Sequence, residues 1–251
     1  MISIETLEKL AKQYQTGLFP NIVREYFQHT FLAELYKLPE AEKMLFKGGT
    51  ALRIIYGSPR FSEDLDFSLF RTPQHEIKSL VESLFVKVLA EIEQVGIKVE
   101  IGKKSDVTSG GYFGIATFKV FEYQPVGVEI NISGRNGREL KSEVDSVASD
   151  FVPTFSVVHL PQNELVEEKI FGALRERKKP RDFYDLYFIM RRGMLSMDQK
   201  KRLAEIKNEI IADASKIDFR GELGTFLPVD QQAIIRDFVR ALEAEIGRQI
   251  V

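Results

Sequence analysis

The sequence predicts an α+β fold, a sheet flanked by helices and followed by a helical C-terminal lobe. Three observations carry that prediction. Strand-like segments, alternating or rich in β-branched residues, crowd into residues 44–133. Helical spacing precedes and interrupts them, and from about Pro161 onward helical spacing is all that remains. A boundary near residue 155 follows, with residues 1–155 as an α/β lobe carrying N-terminal helices and residues 156–251 as a helical lobe.

Taken in order, residues 3–17 place Ile4, Leu7, Leu10, Ala11 and Tyr14 at helical spacing behind a Ser3 cap. Pro20 suits the first turn of a second helix through Val23, Phe27, Phe31 and Leu35, and Pro39 helps to end it. The apolar run at 44–47 is stopped by Gly48 and Gly49 and gives way to a helical TALRIIY, a strand, tight turn and helix. LDFSLF at 65–70 alternates as a second strand, and Pro73 opens a long helix to about Gln94. Residues 97–102, 112–121 and 127–133 read as an antiparallel meander completing the sheet. Helices are then expected at 162–177, 181–192, 198–213 and 230–249, the last capped by Asp230.

Composition excludes several classes. At 44% hydrophobic and 29% charged, the chain can bury a real core, so disorder is not its main state. Its apolar runs fall short of the ~20 residues that a membrane-spanning helix needs. The N-terminus reads as an amphipathic helix rather than a signal peptide, so a soluble, cytoplasmic protein is expected, with no membrane partner. The absence of cysteine removes disulfides, thiolate metal sites and thiol nucleophiles. With a formal charge of −2, any polyanion must be met by a local patch.

The informative chemistry lies in Lys47-Gly48-Gly49-Thr50 and in Ser62-Glu63-Asp64-Leu65-Asp66-Phe67. Side chains two apart on a strand share a face, which projects Asp64 and Asp66 together from α-carbons ~6.5–7 Å apart. At an effective dielectric of about 20 their repulsion is roughly 2–3 kcal/mol, readily tolerated if a cation sits between them. Mg²⁺ is the natural candidate, a hard ion that shares its shell with substrate phosphates. A bland reading stands beside this one. An Asp-x-Asp at a strand end is commonly a solvated loop edge, and a Gly-Gly before a helix is commonly an ordinary turn. In this order and this close, the two describe a triphosphate on open main-chain N–H groups beside a metal pair, with the Thr50 hydroxyl adding to it.

A second cluster occupies the helical lobe. Lys169 shares a stripe with Val166, Ile170 and Ala173, so its ammonium emerges along a partly apolar face. Asp182 and Asp185 are neighbours on the next helix. Between them, residues 175–181 form a basic run, which reads either as a solvated loop or as a phosphate or RNA contact.

KGGTALR, FSEDLDF, the Lys169 helix and RKKPRDFYDL resemble the four motifs of the AbiEii/AbiGii toxin family, the MenT-like nucleotidyltransferases of the polymerase-beta-like superfamily. The resemblance covers about residues 44–190. It implies a polymerase-beta-like sheet and an enzyme dependent on Mg²⁺ (or Mn²⁺) that moves a nucleotide from an NTP to an acceptor hydroxyl. The implied acceptor is RNA, especially a tRNA 3′ end, and the implied setting is a toxin–antitoxin or phage-defence system with a cognate antitoxin protein. Carried across, Gly48, Gly49 and Thr50 form the phosphate-binding turn and Asp64 and Asp66 hold the metal. Lys169 contacts the triphosphate, Asp182, with Asp185 near it, is the fourth-motif acid, and Glu129 is the position for a third acid. The chain has Gly49 where the family often carries serine, and its loop from Gly49 to Asp64 is longer than the superfamily's shortest form.

Other templates are poorly served. No GxxxxGK[ST], HExxH or GxSxG occurs, and His29, His75 and His159 are isolated, reading as surface or packing residues. Two alternatives to transfer onto RNA stay open: a non-catalytic nucleotide- or RNA-binding module, and nucleotidylation of a protein.

Overall fold

The structure, a computed structural model, describes residues 2–102, 106–108, 111–121, 123–134 and 141–250. Its contacts divide the chain into two units, Met1–Gly57 with Phe61–Leu160, and Ser58–Arg60 with Pro161–Val251.

The first unit contains β1 (Met44–Lys47), β2 (Leu65–Leu69), β3 (Lys98–Ile101), β4 (Asp106–Thr108), β5 (Gly111–Lys119), β6 (Val126–Gly134), β7 (Glu143–Val147) and β8 (Phe155–His159). Among the described residues they form one mixed sheet in the order β3-β5-β6-β2-β1-β8-β7, with β4 also paired to β5. The β3, β5 and β6 ladders are antiparallel, as the alternation of residues 97–133 predicts, while β2 runs parallel to β6 and β1 parallel to β8.

Register explains how the sheet sorts its side chains. Directly paired residues share a face. Phe118, Ala116 and Tyr112 of β5 pair with Val126, Val128 and Ile132 of β6, and Ile130 and Ile132 pair with Leu65 and Phe67 of β2. All are buried. Helices α1 (Ile4–Gln13) and α2 (Phe19–Leu35) precede the sheet, α3 (Gly48–Ile54) follows β1, and α4 (Ile77–Gln94) follows β2. Aromatic rings of α2 and α4 cover the apolar face: Phe27 stacks on Phe118 at 4.1 Å, and Phe85 meets Tyr112 edge-on at 6.0 Å. The opposite face takes the alternate residues, Lys47 paired with Asp66 and Asp66 paired with Asn131. Alternation thus hands one surface to the core and the other, at mid-sheet, to polar chemistry.

The second unit holds α5 (Gln162–Glu167), a π-helical stretch Glu168–Ala173, α6 (Leu174–Arg177), α7 (Pro180–Arg191), α8 (Met197–Ala214), α9 (Arg220–Phe226) and α10 (Phe238–Gln249). Lys178, with φ 51°, ends α6, and Pro180 opens α7 where its missing N–H has no cost. Ser196 and Gln199 close a reciprocal cap on α8. Phe183, Phe219, Phe238 and Tyr184 pack ring to ring at 4.7–6.1 Å at the centre of the unit.

Several sequence expectations change. Strands β4, β7 and β8 and helix α9 were not anticipated; in β7 the exposed residues 143–146 give no buried alternation. The final helix begins at Phe238 rather than after Asp230, since residues Val229–Asp237 wind as a 3-10 segment in which Gln232 Nε2 donates to the Gly224 and Leu227 carbonyls at the end of α9. No helix of the described residues is long and apolar enough to cross a membrane.

Candidate active site

The turn from β1 into α3 and the start of β2 are built against each other. Gly48 has φ +84°, a conformation that favours glycine. A Cβ added there would lie 2.1 Å from Asp66 Oδ2, so only a bare α-carbon lets the main chain approach this carboxylate. The other oxygen, Oδ1, accepts from Asn131 Nδ2 at 3.2 Å. Asp64 and Asp66 are both partly exposed, whereas Leu65 and Phe67 point into the core.

Four side chains fix the loop that delivers Asp64. The buried Thr50 hydroxyl donates to the Asp64 carbonyl, Gln28 Nε2 donates to the Ser62 carbonyl at 3.1 Å, and Arg24 pairs with Glu63 at 3.3 Å. Arg53 lies 4.2 Å over the Phe61 ring while its guanidinium grips Glu25 through two bonds of 2.9 and 3.0 Å. Thr50 therefore acts on the main chain of the acidic loop. Gln28, Arg24 and Arg53 escaped the sequence reading because they belong to helices that pattern as packing elements.

A partly exposed carboxylate offering only oxygen, which the bare Gly48 main chain approaches closely, is a donor of the kind a small hard cation takes, and Asp64 lies two residues before it in sequence. Among the described residues no group of three or more His, Asp or Glu side chains could hold a metal. The register explains why Glu129 does not make a third: Leu65 pairs with Ile130 and Asp66 with Asn131, so an amide rather than an acid stands beside Asp66. Glu129 is exposed.

In the helical unit Asp185 is fully buried and collects two cations. Arg60 donates to it through Nε at 3.0 Å and Nη2 at 2.8 Å, and Lys169 Nζ lies 2.7 Å from Oδ2. Burial alone would push this carboxyl up, but the Arg60 guanidinium and the Lys169 ammonium hold it below the ordinary aspartate range. Lys169 falls in the π-helical stretch, where the extra residue per turn breaks the simple i, i+4 stripe, a distortion that recurs at functional sites. Asp182 has a different task. It caps its own helix by accepting from the Lys179 N–H at 3.2 Å and from Arg177 at 2.5 Å. Of the two acids, Asp185 is the one that touches Lys169. Arg60 had no signal in the sequence, since its partner lies 125 residues away.

Comparison with known proteins settles the family. Residues 30–248 match the family described as nucleotidyl transferase AbiEii toxin, type IV TA system. The chain belongs to this AbiEii family. It is accordingly a nucleotidyltransferase of a toxin–antitoxin system, with a nucleotide substrate and an antitoxin partner. Two crystal structures from Helicobacter pylori share the fold. One, titled as a nucleotidyltransferase candidate, aligns at 18% identity and a TM-score of 0.63 over 99% of this chain and 96% of its own. The other, JHP933, aligns at 20% identity and a TM-score of 0.66 over 100% of this chain and 94% of its own. A search of curated proteins finds no significant match.

The basic run of this AbiEii chain is largely committed. Arg175 pairs with Glu209, Arg177 with Asp182, Lys178 with Asp213 and Arg181 with Glu222, all within 3.8 Å. Sequence density of positive charge here marks internal ion pairing. The histidines also sort themselves: His75 is exposed, His159 is buried between the Leu160 carbonyl and Asp145, and His29 is buried against Phe151.

Proposed function

We propose that the enzyme transfers a nucleotide from an NTP to a hydroxyl of RNA, with a tRNA 3′ end as the acceptor, and that Asp64 and Asp66 hold the Mg²⁺ (or Mn²⁺) this needs. The observation that carries the proposal is the approach of Gly48 to Asp66, where a Cβ would come within 2.1 Å of the carboxylate. A divalent ion bound there would neutralise phosphate charge and ease ionisation of the attacking hydroxyl. Asp64 and Asp66 supply its protein ligands. The main-chain N–H groups of residues 48–50 orient the phosphates, and the Thr50 bond to the Asp64 carbonyl keeps that acid in place. Lys169, oriented by Asp185, offsets charge on the triphosphate, and Asp182 supports this arrangement by capping the helix that carries Asp185. The reading places the protein in the cytoplasm and its activity in growth arrest or phage defence.

The test is incubation with each labelled nucleoside triphosphate, Mg²⁺ and total RNA, followed by separation of RNA from protein. Label in tRNA-sized RNA, lost in Asp66→Asn, is the expected result. Label confined to protein, or nucleotide binding without pyrophosphate release, overturns the RNA-acceptor reading.

A further inference from the structure

Three arginines of the helical unit that pair with no carboxylate lie around one surface basin. Arg220, Arg236 and Arg240 are exposed, and among the described residues none of them makes an ion pair. They are not adjacent in sequence, yet all line one open cavity of about 280 Å³, where residues 217–220 meet residues 235–240 at the junction of the 3-10 segment and α10. Phe219 and Phe238, part of the unit's aromatic core, form its floor, and Ile217, Ile235 and Val239 are only partly covered. Asp218 and Asp237 also line it, so three arginines less two aspartates leave the lining a net formal charge of +1; among the described residues neither acid pairs with an arginine side chain, and Asp218 Oδ1 accepts from the Arg220 main-chain N–H at 3.0 Å.

The contrast with residues 175–181 gives the arrangement its meaning. There, four cations are matched by four acids of the same unit. Here, three guanidiniums surround a basin and stay unmatched. Exposed cations contribute little singly in salt and add up along a polyanion, and arginine recognises phosphate through a planar fork of donors.

We infer that this cavity contacts the backbone phosphates of the RNA through Arg220, Arg236 and Arg240, with the apolar floor receiving a ribose or base. The inference rests on RNA as the acceptor proposed above. It assigns the holding of the polymer to a surface outside the metal pair, without demanding a particular sequence.

The experiment is a titration of a fluorescent single-stranded RNA, without nucleotide, into Asp66→Asn protein across a series of KCl concentrations. Adding Arg220→Gln, Arg236→Gln and Arg240→Gln together is expected to weaken binding roughly tenfold or more near 0.1 M salt, and to reduce the log–log salt slope by about 2, since each single-strand phosphate contributes about 0.7. Arg175→Gln with Lys178→Gln serves as the control and is expected to leave both quantities unchanged. All three target side chains are exposed, so the variant keeps its fold, checked by its thermal midpoint. Wild-type affinity and slope in the triple variant overturn the inference, as does loss of binding only in the control pair. Capture of polyglutamate but not RNA by these arginines overturns it in favour of an acidic protein partner. Because binding is read in a transfer-dead protein, failure of the catalytic reading leaves this result standing, and the reverse also holds.

Discussion

Asp66 and Asp185 are both aspartates in motif-like sequence, and the protein treats them oppositely. Asp66 is partly exposed, accepts one bond from a neutral amide, and is closely approached by the main chain of a glycine. Asp185 is sealed from solvent and saturated by a guanidinium and an ammonium. The first arrangement leaves the carboxylate's charge unpaired within the described residues, as the proposed metal role requires. The second consumes the charge inside the protein, where an ion pair orients its members without necessarily stabilising the fold relative to apolar packing. A carboxylate's role is thus read from what already neutralises it.

The sharpest way to break this comparison is to remove each charge alone. Asp66→Asn keeps the side-chain volume and takes away the proposed metal ligand, so transfer should fall by roughly 10³-fold, corresponding to the several kcal/mol a bound metal supplies. Its thermal midpoint without metal should stay equal or rise, because carboxylate repulsion is relieved. Pyrophosphate release and a melting curve on the same sample check both halves. Full activity with a lowered midpoint would make Asp66 a structural residue like Asp185.

Asp185→Asn should behave in the opposite sense. Leaving Arg60 and Lys169 without their buried carboxylate should cost about 3–5 kcal/mol of unfolding free energy. Acidification makes the same change reversibly. A carboxyl whose folded pKa lies below its unfolded value contributes stability that is complete above the unfolded pKa of about 3.9 and is lost as pH falls through the folded one. The variant's acid-unfolding limb should therefore be shallower than that of the wild type below about pH 4. Identical limbs would show that the cluster carries no linkage.

The two acids also mark how far sequence could reach. The strand, glycine turn, helix and acidic strand of residues 44–70 were legible because a period of two, a Gly-Gly stop and the return of helical spacing are local signals. Lys169 and the acids of α7 were legible as a motif, but the choice of Asp185 over Asp182 as the partner of Lys169 was not, because spacing on one helix cannot say which of two neighbours meets a residue on another. Arg60 and the three arginines of the α10 cavity were illegible for the same reason, their meaning residing in contacts between distant segments. Strand β7 failed differently: an edge strand exposed at residues 143–146 leaves no apolar alternation to read.

His29 sharpens the comparison with a buried group that has a cation for a neighbour and a charge of the same sign. Burial foremost, with Arg53 adding, pushes its pKa down to about 4, and its Nδ1 has no hydrogen-bond partner. A histidine depressed in this way stabilises the fold fully above its unfolded pKa of about 6.5, and that contribution is lost as pH falls toward 4. The loss at the acid end is on the order of 3 kcal/mol. His29→Phe, placed among Phe151 and Phe155, should remove this slope between about pH 6.5 and 4 while leaving stability at pH 8 within about 1 kcal/mol. Urea midpoints at the three pH values test it, and an unchanged slope would place the proton uptake elsewhere.

The smallest expected effect tests whether Asp64 is held or merely present. Thr50 is fully buried and its hydroxyl donates to the Asp64 carbonyl, so Thr50→Val preserves shape while orphaning an acceptor at the foot of the metal pair. The stability cost should be about 1 kcal/mol. If the bond positions Asp64, the Mg²⁺ concentration giving half-maximal transfer should rise severalfold while the Michaelis constant for nucleotide at saturating Mg²⁺ changes little, and Thr50→Ser should restore the wild-type metal curve. A bond that served only to hold the fold would lower the melting midpoint in Thr50→Val and leave that curve where it was. The distinction matters because Asp66 has its own restraint from Asn131, and a two-carboxylate site works only if both acids are restrained.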